Sequence, residues 1–289
     1  MNLGNARSVA VLGVCIESLA YYPVKGCRRV ECDSVELLPT GLCHDREWVI
    51  VEPGGMFITQ RTDAVLATLA PSIDAAGQAL TIAAPGRATL RVPLACRGER
   101  RRVRVWKDEC AADDQGDEAA AWLAAIVGRP LRLMRFAVDG ERHANPGFAH
   151  GDYAPVKFAD AFPVLVTQSA SLAALNAAIA QSGKAPAEAP LPMTRFRPNI
   201  VLSGLAPFDE DRIDRLHIGE AVLRLAKPST RCIVTTTDQD SGVRGIEPLP
   251  TLKRLRWNGT LKGVTFGENA TVLRPGRLRV GDAVAVTWR

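Results

Sequence analysis

Many short strands, few helices and turn residues between them predict a mainly β protein with peripheral helices (α+β), built as two β-barrel-like parts. The 289-residue chain is 47% hydrophobic and 23% charged, enough apolar material for two cores. A loop rich in glycine, proline and polar residues, 137–157, marks the joint. The expected division is 8–136, the connecting loop 137–157, and 158–289.

In order, SVAVLGVCIESL is the first strand; its apolar run is too short for a signal peptide. EWVIVE and MFITQR flank Pro53-Gly54-Gly55 and predict a hairpin. ALTIAA, ATLRVPL and RRVRVW follow as strands. DQGDEAAAWLAAIVG reads as a helix, with acids in its first turn and Gly128 as its stop. LRLMRF closes the first part. After the loop, FPVLVTQ is a buried strand. Ser169 is the expected N-cap of the helix SASLAALNAAIAQSG, which ends at Gly183. RFRPNIVLSG, HIGEAVLRLAK, RCIVTTT and ATVLRPGRLRVGDAVAVTW continue as strands and turns. PLPTLKRLRW predicts one short helix opened by proline.

The net charge of +5 raises the question of nucleic acid. The densest basic run, Arg97 to Trp106, alternates arginine with valine as a strand with one wet face does. No RNP-like aromatic pair, zinc finger or helix-turn-helix accompanies it, so no nucleic acid partner is expected. No stretch reaches membrane-spanning length, so no membrane partner is expected either. The seven cysteines are odd in number and contain no CxxC, which argues for free thiols in a reducing, cytoplasmic setting. No P-loop, GxGxxG, GxSxG or HExxH occurs, and His44, His143, His150 and His217 lack metal-ligand spacing.

Four segments carry the chemistry: YYPVKGC with Lys25, GLCHDREW with Arg46, FRPN with Arg197 and Asn199, and STRCIVTTTD with Arg231 and Cys232. Taken singly, each reads as a surface cation, an Arg–Asp pair or a turn. Taken together, Lys25, Arg46, Arg197 and Arg231 would make a basic pocket for phosphate or carboxylate. A cation beside Cys232 favours the thiolate. The helix start at Ser169 could offer backbone N–H groups to a phosphate. Asp211 and Asp238 read first as solvated loop carboxylates and second as acidic groups near the site.

These segments, with ITQR, EPLPTLKRLR, FGENA and LRVGD in the same order, resemble the MOSC family. The resemblance covers almost the whole chain and is to the two-part members, which place an N-terminal MOSC β-barrel domain before the MOSC domain. The mitochondrial amidoxime-reducing components and their bacterial relatives are of this kind. It implies that Cys232 is the molybdenum ligand and catalytic centre, and that the dithiolene of Mo-molybdopterin supplies further sulfurs. It implies cofactor binding by Lys25, Arg46, Ser169, Arg197, Asn199 and Arg231. It implies an oxidoreductase that reduces N–O bonds of N-hydroxylated compounds, with electrons from a separate donor protein. The alternative it leaves is a carrier of the cofactor or of sulfur, without turnover. One departure is Gly26, where related proteins often have Ser or Thr.

Overall fold

The computed structural model describes residues 13–182 and 189–289. The chain begins with β1 (Cys15–Tyr21), β2 (Val30–Cys32), β3 (Ser34–Leu38), β4 (Gly41–Leu42) and β5 (Trp48–Val51). Next come β6 (Ala70–Ile73), β7 (Ala79–Ala83), β8 (Leu90–Pro93), β9 (Arg100–Val105), β10 (Asp108–Asp114), α1 (Asp117–Val127) and β11 (Arg132–Phe136). After the loop stand β12 (Val164–Gln168), α2 (Ser169–Gln181), β13 (Ile200–Ser203), β14 (Ile213–Ile218) and β15 (Ala221–Thr230). The remainder is α3 (Leu249–Leu255), β16 (Trp257–Asn258), β17 (Gly263–Arg274), β18 (Gly276–Arg279) and β19 (Ala285–Trp288). The protein is mainly β, as its sequence predicts.

The largest sheet runs β19-β14-β15-β17-β12-β13-β1-β2, with β16 also on β17. Its one parallel pair, β12 and β13, is joined through α2, the crossover that parallel pairing requires. The smaller sheet β18-β3-β4 shares its core, which includes Ile16, Leu37, Val166, Leu216, Leu223 and Val286. The second body is made of β5-β11-β10-β9 and β6-β7-β8, with α1 packed between them around Trp48, Leu66, Leu80 and Leu123. Each fully buried leucine here is worth about 1.5–3 kcal/mol relative to exposure. In α1, Ala119 and Leu123 face the core, and Gly128 ends the helix in the left-handed conformation (φ 81°) that glycine adopts without strain.

Strand pairing does not follow the division at 137–157. Strands β1 to β4 belong with the C-terminal body, because β1 pairs with β13 and β3 with β18. The 137–157 loop carries a single bridge, His143 to Pro155, and packs Ala144, Ala149 and Ala154 against Ala226 of β15.

Three further expectations change. The predicted hairpin closes through Glu52 N to Met56 O, Ile58 N to Ile50 O and the Val51–Phe57 bridge, but its second arm is no full strand. RCIVTTT is not a strand; Ile233–Thr236 forms a 3-10 turn. Ser169 is the first helical residue rather than the N-cap, a place taken by extended Gln168. Gly183, the expected helix stop, and residues 8–12 lie outside the described residues. The helix predicted around PLPTLKRLRW forms as α3, with a proline in its first turn. Among the described residues no helix is long and apolar enough to cross a membrane.

Candidate functional site

A cleft of about 570 Å3 opens where the two bodies meet. Lys25, Arg46, Arg197, Asn199, Arg231 and Cys232 all line it. Ser169 does not: its hydroxyl lies 3.4 Å from the Leu202 carbonyl, away from the cleft. The helix start is therefore no part of this site.

Arg46 and Arg197 share one scaffold. Both have left-handed backbones (φ 45° and 56°), a strain of order 1–3 kcal/mol each that surrounding contacts must hold. Both guanidinium groups stack over the buried Tyr22 ring, at 4.2 and 4.3 Å from its centroid. Arg46 Nη1 donates to Asp45 and, at 2.9 Å, to Asn199 Oδ1. Asn199 is 2% exposed and its amide is fully committed: Nδ2 donates to Ala20 O and Asp45 Oδ1, and Oδ1 also accepts from Leu165 N. Asn199 thus orients Arg46 rather than reaching for a ligand. Arg197 donates to Gln239 at 2.8 Å, and burial lowers its pKa.

Lys25 is buried. Its ammonium donates to Phe158 O at 2.7 Å and to Asp160 Oδ1 at 2.6 Å. Burial pushes its pKa down, and Asp160 works against that. The Asp160 side chain is 72% exposed and also accepts from Trp106 Nε1 at 2.9 Å. Burial of the segment raises its pKa, but Lys25 and Trp106 outweigh this and hold it well below the usual carboxylate range. Gly26 sits at φ 85°, and a Cβ there would meet Leu66 at 3.2 Å, so the serine or threonine common in related proteins would be strained here. Its carbonyl instead accepts from Gln60 Nε2 at 2.6 Å.

Arg231 reaches the cleft beside the cysteine. Nη1 donates to Ser229 Oγ at 2.8 Å and Nη2 to Phe196 O at 2.6 Å. Its Nε is buried without a hydrogen-bond partner. Burial lowers its pKa to about 10, with Cys232 opposing, so it stays charged at neutral pH. Cys232 is partly exposed and its thiol is free. Thr235 folds back on it, donating to Cys232 O through both N (3.0 Å) and Oγ1 (2.9 Å). Thr236 Oγ1 likewise donates to Ile233 O, at 2.8 Å. These hydroxyls shape the turn that presents the sulfur.

Sequence reasoning missed Asp160, Trp106, Arg61, Lys227 and Lys262, which also line the cleft. With them the lining holds seven cationic side chains (Lys25, Arg46, Arg61, Arg197, Lys227, Arg231, Lys262) against one carboxylate, Asp160. Such a surface favours an anionic ligand. The only sequence signal for any of these five was a basic residue beside ITQ or within LAKPSTR. The histidines stay outside: His143 packs on Tyr153, His150 meets Ala226 O, and His217 meets Thr287. Asp211 pairs with Arg256, and Asp238 accepts from Ser241, so neither lines the cleft. Most of the basic strand β9 points to solvent and is paired with Glu99, Glu109, Asp113 and Asp139. Among the described residues no group of three His, Cys, Asp or Glu could hold a metal. A metal at Cys232 would need its other ligands from a cofactor.

Residues 13–130 match the MOSC N-terminal beta barrel domain, and residues 154–285 match the MOSC domain. The chain is 32% identical to the mitochondrial amidoxime-reducing component 1 of Homo sapiens, over 93% of this chain and 82% of that protein. It is 32% identical to the mitochondrial amidoxime reducing component 2 of Bos taurus, over 97% and 85%. It is 30% identical to the molybdenum cofactor sulfurase of Oryza sativa subsp. japonica, over 98% of this chain but only 36% of that longer protein. The chain belongs to the MOSC family, with an N-terminal MOSC β-barrel domain followed by a MOSC domain.

Proposed function

We propose that the cleft holds Mo-molybdopterin and that the protein reduces N-hydroxylated compounds. The observation that carries this is a free cysteine thiol, flanked by a half-buried arginine with an unpartnered Nε, in a cleft of seven cations and one carboxylate. The donor set fits the cofactor. One soft sulfur suits molybdenum if the dithiolene completes the shell, and the cation excess suits the pterin phosphate. Relatives at about 30% identity are named as amidoxime-reducing components, which supports the substrate class.

When bound, the cofactor would supply the two-electron chemistry that, with two protons, converts an N–OH group to N–H and water. The chain's own residues bind and orient. Cys232 would ligate the metal, and Arg231 would hold the thiolate and the anionic cofactor together. Lys25, Arg46 and Arg197 would receive the phosphate, with Asn199 and Asp45 fixing Arg46. Phe57, Trp106 and Phe196 give the cleft apolar wall beside its cations. The electrons would come from a separate donor protein. The described cysteines are all free thiols, which suits the reducing cytoplasm.

The test is reduction of benzamidoxime by cofactor-loaded protein with a chemical electron donor. Turnover in the wild type and its loss in Cys232→Ala are expected. Bound pterin without turnover would favour the other reading, a carrier of cofactor or sulfur, toward which the similarity to a molybdenum cofactor sulfurase points.

A further inference from the structure

The cations in the cleft are not equal. Those that the sequence motifs single out are already partnered within the protein. Lys25 has Asp160, Arg46 has Asp45, Arg197 has Gln239, and Arg231 has Ser229 and the Phe196 carbonyl. Lys227 is different. It is only partly exposed, yet among the described residues its ammonium has neither a carboxylate nor a hydrogen-bond acceptor. Its one close neighbour of note is the Phe148 ring, 4.2 Å from Nζ to centroid. An ammonium without an acceptor, on a residue that lines a cavity, is open to an anion from outside.

Its placement follows from β15. The end of β15, where its pairing with β17 is irregular, brings Lys227, Ser229, Thr230 and Arg231 to the cleft, with Lys227 opposite Asn269 of β17. Four residues stand between Lys227 and Cys232, a span of at most about 16 Å at the strand rise. In the β15–β17 ladder, Lys227 faces Asn269 while Thr230 faces Thr265, so Lys227 is set back along the strand from the cysteine. Burial lowers the Lys227 pKa, with Glu268 on the far side of the sheet opposing, which fits a charge left without a close counter-ion.

We propose that Lys227, with Asn269 beside it in the lining, forms a second anion subsite in the cleft, set back along β15 from Cys232, which binds a carboxylate or phosphate group. This rests on the reading of the cleft as the ligand site. The anion has two possible sources: an acidic group on the substrate, or a second phosphate on the cofactor if that is a dinucleotide form.

The experiment compares wild type, Lys227→Met and Lys227→Arg. First, cofactor-free protein is titrated calorimetrically with inorganic pyrophosphate. Lys227→Met is expected to weaken binding about tenfold, with Lys227→Arg near wild type. Equal affinity in all three proteins overturns the proposal, whether or not the cofactor reading stands. Second, loaded protein is assayed with benzamidoxime and with 4-carboxybenzamidoxime, and its pterin and nucleotide content is measured. A rise in KM confined to the carboxylated substrate in Lys227→Met assigns the subsite to the substrate. Loss of bound pterin or nucleotide assigns it to the cofactor. No change in either, or an equal KM change for both substrates, overturns it. Absence of turnover and pterin in the wild type would instead sink the functional reading and leave the pyrophosphate result to stand alone.

Discussion

The two faces of the sheet around β17 handle charge in opposite ways. Asn269 points into a cleft lined by seven cations. Its neighbour Glu268 points the other way, into a buried polar cluster of carboxylates. There Glu268 meets Arg289, Glu210 accepts from Ser171 Oγ at 2.8–2.9 Å, and Asp211 pairs with Arg256. Gln168 of β12 stands beside them, its Oε1 buried without a partner. The front face keeps its charge open toward a ligand; the back face closes its charge on itself. Unpaired charge in the front is cheap because the cleft admits water and ions. In the back it must be neutralised by protonation or by an arginine.

The largest expected effect lies on the front face. Cys232→Ala should reduce amidoxime turnover by more than a hundredfold while leaving thermal stability within about 0.5 kcal/mol, because the thiol is partly exposed and packs no core. A stability loss as large as the activity loss would make the cysteine structural and break the contrast.

Next comes the scaffold behind the cations. Asn199→Ala would strip partners from Arg46, Asp45, Leu165 N and Ala20 O together. Chemical unfolding should show a cost of about 2–4 kcal/mol, since a buried network loses its centre. A cost under 0.5 kcal/mol would mean that Asn199 is free to bind ligand directly.

The back face should answer to pH. Burial raises the Glu210 pKa to about 7, against the Ser171 hydroxyl, and raises that of Glu268 to about 8, against Arg289. Both groups hold protons more tightly folded than unfolded. The folded state therefore binds the extra protons between the ordinary carboxylate range and pH about 8, and stability falls as pH rises through that window. Urea unfolding at pH 5 and pH 8.5 should differ by about 1–3 kcal/mol in favour of pH 5, and Glu210→Gln should shrink that difference. An unchanged slope in the variant would show that the cluster is not its source.

The smallest effect is at the rim. Trp106→Phe removes the 2.9 Å bond from Nε1 to Asp160 while keeping an aromatic ring against Phe57. A stability change of about 0.5–1 kcal/mol is expected in thermal melts, because the residue is exposed.

Much of this was legible in the sequence, for stated reasons. Alternating and β-rich runs marked most strands, and Gly128 marked the end of α1, because those signals are local. The basic residues of the four motifs could be grouped by chemistry alone, and all of them line one cleft. RCIVTTT was misread because β-branched residues favour strands, whereas here Thr235 and Thr236 bond back to the main chain and close a turn. Ser169 has the residue type of an N-cap, but the register of Gln168 in β12 takes that place. Asp160, Trp106 and Lys227 come from separate loops and strands, and no spacing announces that they converge. The allocation of β1 to β4 to the C-terminal body is likewise a matter of long-range pairing, invisible to local pattern.

The most direct test is the molybdenum and pterin content of protein made in a host that synthesises the cofactor, beside Cys232→Ala made the same way. Near-stoichiometric molybdenum and pterin in the wild type, with molybdenum lost or loosened in the variant, is the predicted result. A well-folded wild type with neither molybdenum nor pterin would contradict the reading of the cleft as a cofactor site.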